Sequence, residues 1–254
     1  MSTVEKALSL LDKFDRSTPE LGLSEIAKQS GFDKATTRRL LLSLAAGGFV
    51  EQDSESRLYR LGPSLLRLAR LREAAFPFVD VSRPIVDDLS AETGETVHVS
   101  ALAAAALSTV YVCESARAHR VAVSLGTRLP FNCTASGVVC LAFGTETLRR
   151  AAFAQPLVKL TRHSIASLAE LKRRVAEARQ SGFAANDQGF EDGVSSVAAP
   201  ILAASGEAVG AISIASPTAR VDTKTIERHG AAVRAAAARI AAGLGARPQR
   251  LKTA

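Results

Sequence analysis

Apolar residues at Val4, Ala7, Leu8, Leu10, Leu11 and Phe14 recur at helical spacing and predict an amphipathic first helix. A second helical run follows. Ser24 reads as its N-cap, Ile26 and Ala27 as its inner face, and Gly31 as the left-handed residue that ends it and turns the chain. Phe32 is expected beneath that turn. Asp33 then caps another helix reaching about Ala46, with Leu40, Leu41 and Leu44 as its buried stripe. Gly47 and Gly48 close it, and residues 49–51 and 58–60 read as paired strands around the turn 53–56. Helix, tight turn, helix and hairpin make a winged helix-turn-helix, a shape used mainly to lay one helix in the DNA major groove.

Beyond Pro63 the pattern changes. Leu65, Leu66, Leu68 and Leu71 lie on a helix over 63–72 that Pro63 is suited to open, and it reads as a linker between domains. Residues 83–93 predict a helix with Pro84 in its first turn. Alternating patterning predicts strands at 95–102, 108–114 and 121–125, then a loop at 126–130 and a short apolar helix at 135–143. Ser167 and Glu170 form a capping box for a helix to about residue 180, ended by Gly182. Strands at 194–202 and 208–215 flank the turn 204–207, and Asp222 caps a final alanine-rich helix. This order predicts an α+β domain, an antiparallel sheet with helices on its faces.

The 254 residues allow one large or two modest domains, and an apolar content of 47% supports substantial cores. A net charge of +7 suggests a nucleic-acid partner, but the excess sits away from the helix-turn-helix. Residues 217–254 carry 8 Lys+Arg against 2 Asp+Glu, whereas residues 1–80 carry 12 against 11. The basic tail therefore reads as a solvated helix face rather than as the DNA footprint. Cys113, Cys133 and Cys140 are odd in number and lack CxxC spacing, which suits a reducing compartment. No secretory signal is seen, and the apolar run 101–107 is too short to span a bilayer. A soluble, cytoplasmic protein with no membrane partner is expected.

The chemistry concentrates at two places. In a helix-turn-helix the start of the second helix meets base edges. Lys34, Thr36, Thr37 and Arg38 crowd that start, where Lys and Arg suit guanine and Thr suits several edges. Arg39 suits a phosphate, Arg57 near the hairpin tip suits a minor groove or phosphate, and Tyr59 is placed in support. The alternative is a small-molecule sensor whose winged helix contacts a protein. The second place is the start of the 135–143 helix, where amides and the positive end of the dipole converge. Ala135, Ser136 and Gly137 are small enough to let an anion approach, and Arg128 could add charge; an ordinary N-cap with Gly137 used for close packing is the plainer reading.

Other chemistries find little support. Ser136 with His98 as base would make a hydrolase, but the surrounding residues are not GxSxG. His98 points opposite to Val97 and Val99, and reads more simply as a satisfied structural histidine. Cys133 with His98, His119 or His163 lacks metal-ligand spacing. Cys133 near a helix start suits either oxidant sensing or a buried thiol, the second being the plainer. No enzyme activity, metal or cofactor is expected.

Several stretches in this order resemble the IclR family of bacterial transcriptional regulators over nearly the whole chain. They are VEKALSLLDKF, LSEIAKQSGFDKATTRRLLLSL, RLYRLGPSLLRLA, TGETVHVS, GTRLPFNCTASG, and GFEDGVSSVAAPI followed by GAISIASP. The resemblance implies a winged helix-turn-helix over 1–62, a linker helix over 63–76 and a GAF-like effector-binding and oligomerisation domain over 77–254. It implies a homodimer or dimer of dimers on palindromic double-stranded DNA. It also implies regulation of catabolic genes, with repression as the default, by a small organic or aromatic acid. The implied effector pocket comprises Thr134, Ala135, Ser136, Gly137, Asp187, Ser196 and Ser213. The chain departs from the family at Asn132, where a His is common, at Val138 for a frequent Lys, at Gln188-Gly189 for a frequent acidic pair, and at Ser196 for a frequent Cys. The apolar Val138 and the lost carboxylates are expected to alter the pocket's charge.

Overall fold

A computed structural model of the chain describes residues 1–15 and 17–245. Arg247, Arg250 and Lys252 of the basic tail lie outside the described residues. The chain divides into two compact units, Met1–Phe76 and Pro77 onward.

In the first unit, Ser2 and Glu5 form a reciprocal capping box that starts helix α1 (Thr3–Leu11). A two-residue strand β1 (Glu20–Leu21) leads directly into α2 (Leu23–Ser30), whose N-cap is Gly22 rather than Ser24. The preceding strand forces extended backbone at Gly22, so helical geometry begins one residue before Ser24 can cap. Gly31 ends α2 with φ 73°, the left-handed value expected of it. Helix α3 (Lys34–Ala46) follows, capped by Asp33, then strands β2 (Val50–Gln52) and β3 (Tyr59–Leu61). The wing is three-stranded, because β1 pairs with β3 on the side away from β2. Arg60 ties the three strands together, with Glu51 at 2.6 Å and Glu20 at 3.4 Å. Leu10, Phe14, Leu21, Ile26, Leu40, Leu41 and Leu44 close the core against Val50 and Tyr59. Helix α4 (Pro63–Ala75) has Pro at its first turn and contributes no buried residue to this unit.

The second unit holds a five-stranded antiparallel sheet in the order β5-β4-β8-β7-β6. Its strands are β4 (Thr96–Ala103), β5 (Ala106–Cys113), β6 (Ala184–Asp187), β7 (Val194–Leu202) and β8 (Ala208–Pro217). Helix α5 (Phe78–Thr93) begins five residues earlier than residue spacing suggests, because Phe78 is buried and packs beside Gly210 of the sheet; Pro84 sits inside the helix on its exposed side. Helices α6 (Ala135–Phe143), α7 (Glu146–Phe153) and α8 (Leu168–Ser181) follow the first hairpin, and α9 (Thr223–Gly243) follows β8. Alternation splits the sheet side chains between two faces. Ala198 and Ala211 join α6 and α8 in one core, whereas α5 and α9 pack together and against the sheet.

Residues 121–125 form no strand. Pairing with β5 is made instead just beyond them, where Thr109 N–H donates to Thr127 O at 3.0 Å and Leu129 N–H to Leu107 O at 2.8 Å. The run 121–125 is thereby lifted over the sheet, and Thr96 Oγ1 holds it there by donating to Val121 O at 2.7 Å. Among the described residues, no helix is long and apolar enough to cross a membrane.

Candidate functional site

Asp33 organises the first site. Its carboxylate accepts from Thr36 N–H at 2.8 Å, and hydrogen bonding to Thr36 holds its acid below the usual range. That cap sets the rotation of α3: Leu40, Leu41 and Leu44 turn inward, and Lys34, Ala35, Arg38, Arg39 and Leu42 turn out to solvent. Thr36 is half-buried. Thr37 departs from expectation, for it is fully enclosed and its Oγ1 donates to Asp33 O at 2.9 Å, so it braces the helix from within the core. Tyr59 is likewise in the core, opposite Leu21 and Gln52 in the wing, and leaves the set of outward-facing groups. Arg57 is exposed at the hairpin tip with φ 61°, where Asp53 accepts from Glu55 and Ser56 N–H groups to hold the turn. Charge and hydrogen-bonding capacity pass over Ala35 and Leu42. Helical spacing from Arg38 and Arg39 is the signal that would have found them.

The second site is a cavity of about 250 Å³ between the sheet, the start of α6 and the lifted 121–129 segment. Thr134 caps α6, accepting from Gly137 N–H at 2.9 Å and donating to Pro130 O at 3.1 Å. Thr134 and Ser136 line the cavity from the helix. His98, Ser196, Ser213 and Ala215 line it from the sheet, and Phe190 and Glu191 from the loop before β7. Among the described residues, no Lys or Arg lines this cavity.

Four residues expected here lie elsewhere. Ala135 is enclosed in the α6 core. Gly137 faces Phe131, where an added Cβ would stand 2.4 Å from the Phe131 Cα, so its smallness serves backbone packing. Asp187 is exposed at the end of β6, accepts from Ser195 Oγ at 2.6 Å, and lines a separate crevice beside Arg174 and Asp222. Arg128 is exposed and lines a different hollow, since it alternates with the cavity-lining Thr127 and Leu129. The departures from the family pattern mostly spare the cavity too. Val138 is in the core, and Asn132 clips a loop by donating to Val158 O at 2.7 Å and Ile165 O at 2.9 Å. Gln188 O accepts from Thr161 Oγ1 at 2.7 Å. Ser196 alone of these lines the cavity.

His98 is not a satisfied histidine. It is 7% exposed, its Nδ1 is enclosed without a partner, and burial pushes its pKa down to about 4. Cys133 donates from Sγ to Val158 O at 3.3 Å, and burial pushes its thiol up, opposite to what oxidant sensing needs.

A winged helix-turn-helix with a cationic outer face on its second helix, followed by a separate α+β unit, defines the class of two-domain DNA-binding transcriptional regulators. The IclR helix-turn-helix domain matches residues 3–54 and the bacterial transcriptional regulator IclR C-terminal domain matches residues 75–242. The chain belongs to the IclR family of bacterial transcriptional regulators. It is 29% identical over 223 residues to the regulator XynR of Escherichia coli, covering 87% of this chain and 88% of XynR. Its fold is similar to a putative IclR regulator from Silicibacter, with a TM-score of 0.89, 38% identity and 98% of each chain covered. An IclR homologue from Microbacterium hydrocarbonoxydans, crystallised with 4-hydroxybenzoate, shares the fold at 21% identity, with a TM-score of 0.76 and 96% and 99% of the two chains covered.

Proposed function

We propose that this regulator responds to a small organic or aromatic acid bound in the cavity at the start of α6. The observation that carries the reading is the pairing of two features. One is a helix face of Lys34, Ala35, Arg38 and Arg39 held outward by a packed core; the other is a partly open cavity in the second unit, lined by hydroxyl side chains and His98. Lys34, Arg38 and Arg39 contact bases and phosphates, and Arg57 reaches the backbone or minor groove from the wing. The α6 dipole and the amide and hydroxyl of Ser136 receive the carboxylate. The 4-hydroxybenzoate bound by the Microbacterium homologue supports an acid of this size.

The protein acts as a homodimer or dimer of dimers on a palindromic operator, and its default action is repression of catabolic genes. Residues 1–62 read DNA, 63–76 link, and 77–254 sense the effector and assemble the oligomer. Such coupling is typically worth about 1–3 kcal/mol, roughly 5- to 150-fold in operator affinity. Selection of fragments of the source genome at near-physiological salt, with and without a panel of small organic acids, tests this. One enriched palindrome released by an acid is expected. Enrichment that no acid alters, with no calorimetric binding of any acid, would overturn the effector reading. Partner binding with weak salt dependence would favour the protein-contact alternative instead.

A further inference from the structure

The sheet wall of the effector cavity contains a group with unmet hydrogen-bonding capacity. His98 stands in β4 directly opposite Ser213 in β8, both on the cavity face, at the roughly 4.5–5.5 Å Cβ separation of such pairs. His98 Nδ1 is fully enclosed and has no hydrogen-bond partner among the described residues. Leaving a lone pair rather than an N–H at the enclosed Nδ1 puts the proton on Nε2, the nitrogen left to the cavity. Burial holds the ring neutral at ordinary pH, so it offers one N–H and no charge. Ser213 Oγ donates to Val197 O at 3.3 Å, which leaves its lone pairs to accept. Nδ1 is closed to any ligand, which leaves Nε2 as the ring nitrogen that can hydrogen-bond one.

We infer that His98 determines the specificity of the cavity by donating from Nε2 to an uncharged oxygen of the ligand at the sheet wall, with the ligand's carboxylate at the α6 end. The inference rests on the effector reading above and assigns that effector's second polar group. The site then prefers short monocarboxylates with a hydroxyl or oxo oxygen over their deoxygenated counterparts. A hydroxyl suits best, since it can accept from His98 and donate to Ser213. A second carboxylate is disfavoured, because no Lys or Arg among the described lining residues compensates it and Glu191 at the exposed rim repels it.

Calorimetric titration of the full chain with matched pairs tests this: propionate and lactate, butyrate and 3-hydroxybutyrate, benzoate and 4-hydroxybenzoate. In at least one pair the oxygenated member should bind about tenfold tighter. His98→Phe should erase that preference, and His98→Gln, which keeps a donor, should restore part of it. A preference that survives His98→Phe, or carboxylate binding with no preference in any pair, overturns this inference and leaves the effector reading standing. Absence of all carboxylate binding overturns both. Nitrogen-15 spectra of histidine-labelled protein give a readout that needs no ligand. A neutral Nε2–H tautomer at pH 7 is expected, and a cationic or Nδ1–H ring overturns the inference.

Discussion

Glu95, 5% exposed, accepts two hydrogen bonds from Arg220, at 2.9 and 2.8 Å, from a residue 125 positions further along the chain. Arg117 adds a third at 2.7 Å, and Arg220 also donates to His119 O at 3.0 Å. One buried carboxylate thus fastens the loop after β5 and the turn after β8 to the start of β4, three positions before His98 lines the cavity.

Glu95→Ala should therefore destabilise the second unit by about 2–3 kcal/mol, somewhat less than the usual loss for a broken buried pair because both arginines keep part of their hydration. Denaturant unfolding measures it. A loss under about 0.5 kcal/mol would show the three contacts to be ornamental.

The two neighbours Thr37 and Arg38 should separate stability from DNA reading. Arg38→Ala is expected to weaken operator binding and lower the salt slope by about one while leaving the melting temperature unchanged. Thr37→Val should cost about 1 kcal/mol of stability through its lost bond to Asp33 O, with sequence preference intact. Binding measured over a salt series, beside melting curves, distinguishes them. Altered base preference in Thr37→Val would put that residue back on the DNA face.

Gly137→Ala should unfold or strongly destabilise the second unit rather than merely silence its response, because the clash is with Phe131 backbone and not with a side chain that can swing away. Ser136→Ala, by contrast, should fold normally and lose acid binding. Circular dichroism of both variants decides; a well-folded Gly137→Ala would contradict the packing role.

His98 makes stability depend on acid. Its folded pKa, about 4, lies below the ordinary 6.5, so the unfolded chain takes up the proton first. The neutral ring's contribution is fully present above about pH 6.5 and is lost as pH falls toward 4, by roughly 3 kcal/mol across that window. Carboxylates titrate near the lower end of the same range, so the comparison is with His98→Gln, whose stability should fall less steeply between pH 6.5 and 4.5. Parallel slopes in the two proteins would refute the assignment.

Arg57→Gly should keep or raise stability, since glycine adopts φ near 61° without strain, and yet weaken DNA binding across sequences by removing one cation. Melting curves paired with binding to unrelated duplexes test both halves.

Much of the first unit is legible from the chain because its signals are local. Asp33, Gly31 and the stripe Leu40, Leu41 and Leu44 lie within a few turns of what they control, and a helix period of 3.6 assigns their faces directly. The same arithmetic places Arg38 outward and, carried one step further, would have placed Thr37 inward. Short elements escape it. Strand β6 is only AAND, with no branched or aromatic residue to mark it, and α7 shows only Leu148 and Ala152 on its buried side.

In the second unit, helix starts at Thr134, Ser167 and Asp222 follow from caps written beside them. The cavity does not follow in that way, for it is assembled from segments near residues 98, 121–129, 134–136, 190 and 213. Antiparallel register sets His98 against Ser213, and a one-residue slip would turn both to the opposite face. Pairing of β6 with β7 sets Asp187 opposite Ser195, away from the cavity, and Glu191 stays at the rim. Caps and helical stripes are short-range free-energy preferences that a sequence states where it uses them. The meeting of His98, Ser136 and Ser213 depends on long-range strand pairing and on the packing of α6 against the sheet, which no local pattern encodes.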